Sequence, residues 1–137
     1  MDKAQKASEL IQSRGFGNLA TNSIRHPGTP FVSLVEYALN IKNEPVFLLS
    51  GLAVHSKNLL ADPKASLIIY AASVEQDPMN SARVTLMGEV HKTSASEAYL
   101  DRHPHARQWA GFGDFSFYAM TVTDTYFVGG FGQMGWI

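Results

Sequence analysis

Cysteine is absent from the 137 residues, which removes disulfides, thiolate nucleophiles and iron–sulfur ligation. An excess of charge of one sign is absent too: eleven Lys and Arg stand against twelve Asp and Glu, a formal net charge of −1. So balanced a chain offers no electrostatic footprint for a nucleic-acid backbone or an anionic membrane. Long apolar runs are also missing. Val46–Leu49 and Leu67–Ala72 fall far short of the ~20 residues of a membrane-spanning helix. The opening Met1-Asp2-Lys3-Ala4-Gln5-Lys6 has no apolar core of a signal peptide. The expectation is one domain over residues 1–137, cytoplasmic, with no membrane and no nucleic-acid partner.

What is present reads as strands with a few short helices. Asp2 with Gln5 three residues on is a capping box for a helix that Gly15 ends. Phe16–Ala20 is a short apolar run, and the turn cluster His26–Pro30 leads into Phe31–Leu39, rich in β-formers. A second turn at Asn40–Pro45 and the run Val46–Leu49 suggest that these two strands pair antiparallel. Ser50-Gly51 open a two-turn helix with Leu52, Leu59 and Leu60 on its apolar side, stopped by Asp62-Pro63. Ala65–Ala72 is apolar enough for burial on both faces, and Ala82–His91 alternates with Val84, Leu86 and Val90 inward. Ser94-Ala95-Ser96-Glu97 is a capping box for a third helix, interrupted at His103-Pro104. Asp114–Val128 is a long strand stretch expected to fold back near Thr123-Asp124-Thr125. Six or seven strands, three short helices and turn-sized connections describe a mainly β (α+β) domain, a small barrel decorated with helices.

The segment richest in chemistry follows Val46–Leu49. A buried strand runs into a helix start carrying Ser50, His55, Ser56, Lys57 and Asn58. Unpaired N–H groups at a helix start attract anions, phosphate above all, and these side chains add hydrogen-bond donors and positive charge. An ordinary capped helix with a solvated polar face has the same composition and is the commoner case. Arg83, on the polar face of its strand, is placed either to reach a ligand's phosphate or carbonyl or to pair with Glu89. Ser33 interrupts the apolar set Phe31, Val35, Tyr37 and Leu39, and its hydroxyl needs a partner, for which backbone would suffice. His91, His103 and His105 invite a metal reading. However, His103-Pro104-His105 has no further ligand at sequence spacing, and catalytic zinc wants three protein ligands, so no metal is expected. Hydrolase elbows, Walker loops and dinucleotide fingerprints are absent. Trp109, Phe112, Phe115, Phe117, Tyr118, Tyr126 and Phe127 read as core or interface rather than a base-stacking platform.

The ordered set of segments resembles the FMN-binding split-barrel superfamily related to pyridoxamine 5′-phosphate oxidase, in its haem-utilisation branch. The carrying residues are Leu19-Ala20-Thr21, Pro30–Val35, Leu49-Ser50, His55–Leu59 and Ala61–Leu67. Asp77-Pro78, Ala82–Gly88, His103-Pro104, Asp114-Phe115 and Val128–Gly132 continue the order across nearly the whole chain. The resemblance implies an antiparallel split β-barrel that forms a homodimer, with FMN in two equivalent sites at the subunit interface. It places the flavin phosphate near Ser50 and His55, the latter where related oxidases carry a phosphate-binding lysine. Arg83 falls where those oxidases place a polar residue contacting the flavin, and Ser33 lies on the strand running along the isoalloxazine and ribityl chain. Trp136 stands where a side chain could reach the partner's site. The chain departs from the pyridoxamine phosphate oxidases proper in having Ser33 for an arginine and Ala38 for a substrate-binding lysine, and in lacking their C-terminal arginine signature. Haem-degrading relatives carry an extra C-terminal region, absent here, that helps provide the haem ligand.

Three functions are therefore in view. The first is a flavin-dependent oxidoreductase acting on an unidentified small molecule, with Ser33, Ser50, His55, Lys57, Asn58 and Arg83 binding FMN. The second is a non-enzymatic FMN- or haem-binding module, for which His91, His103 or His105 would have to face the cleft. The third is a structural dimer whose helix-start residues serve only as caps.

Overall fold

Alternating side chains set the architecture, because most strands offer one apolar face to a common core. The computed structural model describes residues 1–137. Eight strands form a single antiparallel sheet: β1 (Phe16–Asn22), β2 (Pro30–Glu36), β3 (Ala38–Leu39), β4 (Pro45–Ser50), β5 (Lys64–Tyr70), β6 (Arg83–Lys92), β7 (Phe115–Val128) and β8 (Met134–Trp136). Three helices accompany them, α1 (Lys3–Ser13), α2 (Val54–Ala61) and α3 (Glu97–Arg102). The strand order is β2-β1-β5-β6-β7-β4-β3, with β8 added beside β7. The two outermost strands, β2 and β3, are consecutive in the chain and separated only by Tyr37. A sheet whose two edges are joined by one residue must curl round on itself. The result is a half-open, split barrel.

Tyr37 fixes that joint with every polar group it has. Its N–H donates to the Gly15 carbonyl at 2.9 Å, and its hydroxyl donates to the Ile11 carbonyl at 2.5 Å. Its own carbonyl lies 2.7 Å from His103 Nε2. The end of α1, the entry to β1 and the segment after α3 are thereby tied to one fully buried residue. Inside the barrel, Leu19, Phe47, Leu67, Ile69, Val84, Leu86, Met120 and Phe127 form the main core. A smaller cluster of Val46, Leu48, Tyr99, Ala106 and Phe117 lies on the other side of β4, which accounts for that strand's uninterrupted apolar run.

Several expected boundaries shift for local reasons. The Asp2–Gln5 capping box forms, but α1 ends at Arg14 in extended backbone rather than through a left-handed Gly15. Helix α2 starts after Ala53 without a side-chain cap, so Ser50-Gly51 close the preceding turn instead of opening the helix. Of the three leucines expected on its apolar side only Leu59 is buried; Leu60 faces out, as does Leu52, which precedes the helix. Ser96, not Ser94, caps α3 by accepting from the Tyr99 N–H. Only Ala38-Leu39 of the expected Phe31–Leu39 strand pairs with β4, because β2 turns to pair with β1. Strand β5 buries Ala65, Leu67 and Ile69 but leaves the alternate face half-exposed.

The largest correction concerns β7, which runs unbroken from Phe115 to Val128 and does not fold back at Thr123. Met87 pairs with Asp124 and Gly88 with Val122, so Thr123 is an extra residue in a β-bulge. The bulge bends a long strand where the sequence pattern suggests a turn. The hairpin after Val128 instead adds β8, which the sequence reading did not contain. No helix is long and apolar enough to cross a membrane.

The bulge also explains Gly88. A Cβ there would sit 1.9 Å from the Thr121 carbonyl oxygen, whereas one on Gly111 would meet nothing within 4 Å. Gly88→Ala is expected to lower the unfolding free energy by about 1–3 kcal/mol, and Gly111→Ala to change it by no more than about 0.5 kcal/mol. Urea denaturation of both variants checks the pair.

Candidate cofactor cleft

Strand β4 delivers its last residues to the rim of a cleft of about 570 Å³. Leu34 and Glu36 of β2, Leu48 and Ser50 of β4, His55 of α2, and the aromatic side chains of Phe16, Tyr99, Trp109 and Phe115 line it. The volume lies within the range of small-molecule sites, and the walls are predominantly apolar with a few polar groups, as such sites are. Burial raises the Tyr99 phenol pKa, with the Glu36 charge adding to it, so this phenol stays protonated in the wall.

Two of the six expected cofactor residues, Ser50 and His55, line the cleft. Ser50 Oγ donates to Asp114 Oδ2 at 2.8 Å and accepts from the Leu52 N–H at 3.2 Å. A carboxylate therefore stands beside the expected phosphate position. Burial lowers the His55 pKa from its ordinary 6.5, and the ring is neutral at pH 7. The other two α2 residues do not line the cleft. Lys57 is solvent-exposed, while Asn58 is buried and pins α2 to the loop after β1. Its amide donates to Thr21 Oγ1 and its carbonyl oxygen accepts from the Ile24 N–H, both at 3.1 Å.

Ser33 and Arg83 lie outside the cleft. Ser33 Oγ is buried with no hydrogen-bond partner, contrary to the expectation that backbone would satisfy it. Arg83 pairs across the sheet with Tyr70 and Val128, and its Nη1 donates to the carbonyls of Pro78, Met79 and Ser81, each at 3.2 Å. It does not pair with Glu89, which binds His91 at 2.9 Å instead. Trp136 is exposed and packs edge-on against Tyr126. None of His91, His103 and His105 lines the cleft. Sequence reasoning missed Phe16, Leu34, Glu36 and Trp109 as its walls. Leu34, Val35 and Glu36 all line the cleft, and β2 shows no strict alternation that would have marked them.

The curled sheet joined at Tyr37 and the cleft beside β4 together define a split-barrel protein of the pyridoxamine 5′-phosphate oxidase-like superfamily. More narrowly, the chain belongs to the CREG β-barrel family, whose sequence profile matches residues 1–137. It is 39% identical over 107 residues to the chloroplastic non-canonical heme oxygenase HOZ of Arabidopsis thaliana, covering 74% of this chain and 32% of that protein. A heme-binding protein from Mycobacterium smegmatis superposes with a TM-score of 0.90 at 36% identity, over 100% of this chain and 58% of the other. The chain thus spans about a third of the Arabidopsis protein and somewhat over half of the mycobacterial one. HutZ of Vibrio cholerae, described as a heme storage protein, shares the fold with a TM-score of 0.68 at 20% identity, over 90% of this chain and 92% of its own.

The lowered pKa of His55 carries a stability signature. Between pH 6.5 and its lowered folded value, the unfolded chain binds a proton here that the folded chain does not. Stability therefore rises with pH through that window and is lost on acidification below about 6.5, with nothing gained at higher pH. Thermal melts from pH 7.5 down to 5 should show this loss, and His55→Gln should reduce it.

Proposed function

We propose that the chain binds haem in the β4–α2 cleft, with the His55 imidazole as an iron ligand. The observation that carries this reading is a half-buried imidazole, its pKa lowered by burial, on the wall of an apolar, aromatic-lined cleft of about 570 Å³. Iron takes a neutral imidazole nitrogen, and a porphyrin's apolar faces gain roughly 25 cal/mol for each Å² removed from water. Tyr99, Trp109 and Phe115 offer the aromatic surface on which such a macrocycle packs. The likeness to a heme-binding protein and to a heme oxygenase supports the same class of ligand. Bound haem would supply the redox chemistry, while this chain would bind the macrocycle, ligate it and shield it from water.

FMN is the second reading, with the chain then serving as a flavin-dependent oxidoreductase on a small-molecule substrate. One observation favours it: the first-turn N–H groups of α2 have no side-chain cap and lie beside Ser50 and His55, a donor set suited to phosphate. The Asp114 carboxylate on Ser50 and the neutral state of His55 weigh against a dianion there.

A homodimer belongs to the same proposal. Val32 and Leu34 on β2 are 60% and 68% exposed, and Leu34 forms part of the cleft wall. A second copy laid against this strand would bury both and close the cleft.

Titrating purified protein with hemin should produce a shifted Soret band saturating at one haem per chain. His55→Ala should shift the band and weaken binding at least about tenfold, roughly 1.4 kcal/mol. Haem affinity and spectrum unchanged in His55→Ala would reject the ligand assignment, and uptake of FMN without haem would establish the flavin reading. Light scattering should give twice the mass of the 15.0 kDa chain; a monomer at every concentration would remove the dimer.

A further inference from the structure

At one end of β2, two separate stretches of chain bring three ligating side chains together. Glu36 ends β2, and His103 and His105 flank Pro104 after α3. His103 Nδ1 lies 3.3 Å from Glu36 Oε2, and His105 Nε2 lies 3.0 Å from Glu36 Oε1. The ligand atoms of all three lie within 4.8 Å of one another.

The orientation of His103 sharpens what can sit there. Its Nε2 is 2.7 Å from the Tyr37 carbonyl oxygen. A carbonyl only accepts, so Nε2 carries the hydrogen, and Nδ1 is the ring atom turned to a carboxylate oxygen. Two lone pairs facing each other repel unless a cation lies between them. That cation is either a proton on Nδ1 or a metal ion.

The spacing accommodates the metal. In a tetrahedral zinc site with bonds of ~2.0–2.1 Å, neighbouring ligand atoms stand about 3.3–3.4 Å apart, close to the 3.3 and 3.0 Å that separate each histidine from a Glu36 oxygen. A ligating histidine also characteristically donates its other ring N–H to a backbone carbonyl, as His103 does to Tyr37. We propose that Glu36, His103 and His105 bind a divalent transition-metal ion, zinc by preference, with one coordination position left open to water or an exogenous ligand. The site is distinct from haem iron. A porphyrin leaves at most two positions of its iron to the protein, whereas this cluster offers three ligands. The proposal does not depend on the haem reading, although Glu36 also lines that cleft.

The test uses untagged protein freed of metal by chelator dialysis and titrated calorimetrically with zinc chloride. Because His103 is buried and holds Tyr37, the informative variants are His105→Ala and Glu36→Gln, at half-exposed positions. One zinc per chain is expected, weakened at least about tenfold in each variant, as loss of one ligand requires. Cobalt(II) in place of zinc should give the visible absorption of a tetrahedral N/O set, lost in His105→Ala. Equal zinc uptake by the parent chain and both variants would overturn the site. So would an NMR spectrum in which His103 is doubly protonated at neutral pH and zinc fails to displace that proton. A hemin titration of His105→Ala runs alongside. Lost zinc with retained haem supports an independent ion site, whereas weakened haem with undiminished zinc places His105 in the cleft and overturns it.

Discussion

The joint at Tyr37 is the constraint on which the barrel depends. Strands β2 and β3 occupy opposite ends of the sheet order, so the one residue between them carries the whole closure. A residue so placed has no ladder of its own to satisfy its backbone, and a buried orphan there would cost about 1–3 kcal/mol. Gly15, Ile11 and His103 remove that cost by bonding its N–H, hydroxyl and carbonyl. The same contacts hold α1 against the sheet and bring the segment after α3 to the end of β2. Both the cleft and the Glu36–His103–His105 cluster lie next to this joint, because β2 ends at Glu36 and His103 is held by Tyr37.

Burial and charge divide the work at the cleft. A histidine on an exposed helix start would be partly protonated and would attract phosphate; sinking it into an apolar wall lowers its pKa and favours the uncharged ring. Asp114, bonded to Ser50, adds a negative charge beside the same helix start. The helix start alone suggests an anion site, while the fold surrounds it with apolar and aromatic walls.

The fold class was legible because the alternation in Ala82–His91 and the turn clusters at His26–Pro30 and Asn40–Pro45 are local signals. The capping box at Asp2 was equally readable. The β7 bulge was not, since Thr123-Asp124-Thr125 looks like a turn unless the pairing partner, Gly88, is known. At the site, Ser50 and His55 could be singled out from composition, but the cleft walls could not. Trp109 and Leu34 are 75 positions apart in the numbering and meet only through the curl of the sheet. Glu36 was invisible as a histidine partner for the same reason: ligand spacing in sequence detects only neighbours on one element.

The pairing of β4 has a consequence for how the molecule is made. Val46 finds its principal sheet partner in Ala119, and β1 finds its inner neighbour in β5. Early strands thus wait for late ones, which is the high contact order that slows all-β topologies to about the millisecond-to-second range. A chain growing from the ribosome exposes Val46–Leu49 as an unpaired apolar edge until β7 has emerged. Through that interval, its apolar surface remains available to chaperones or to a neighbouring nascent copy.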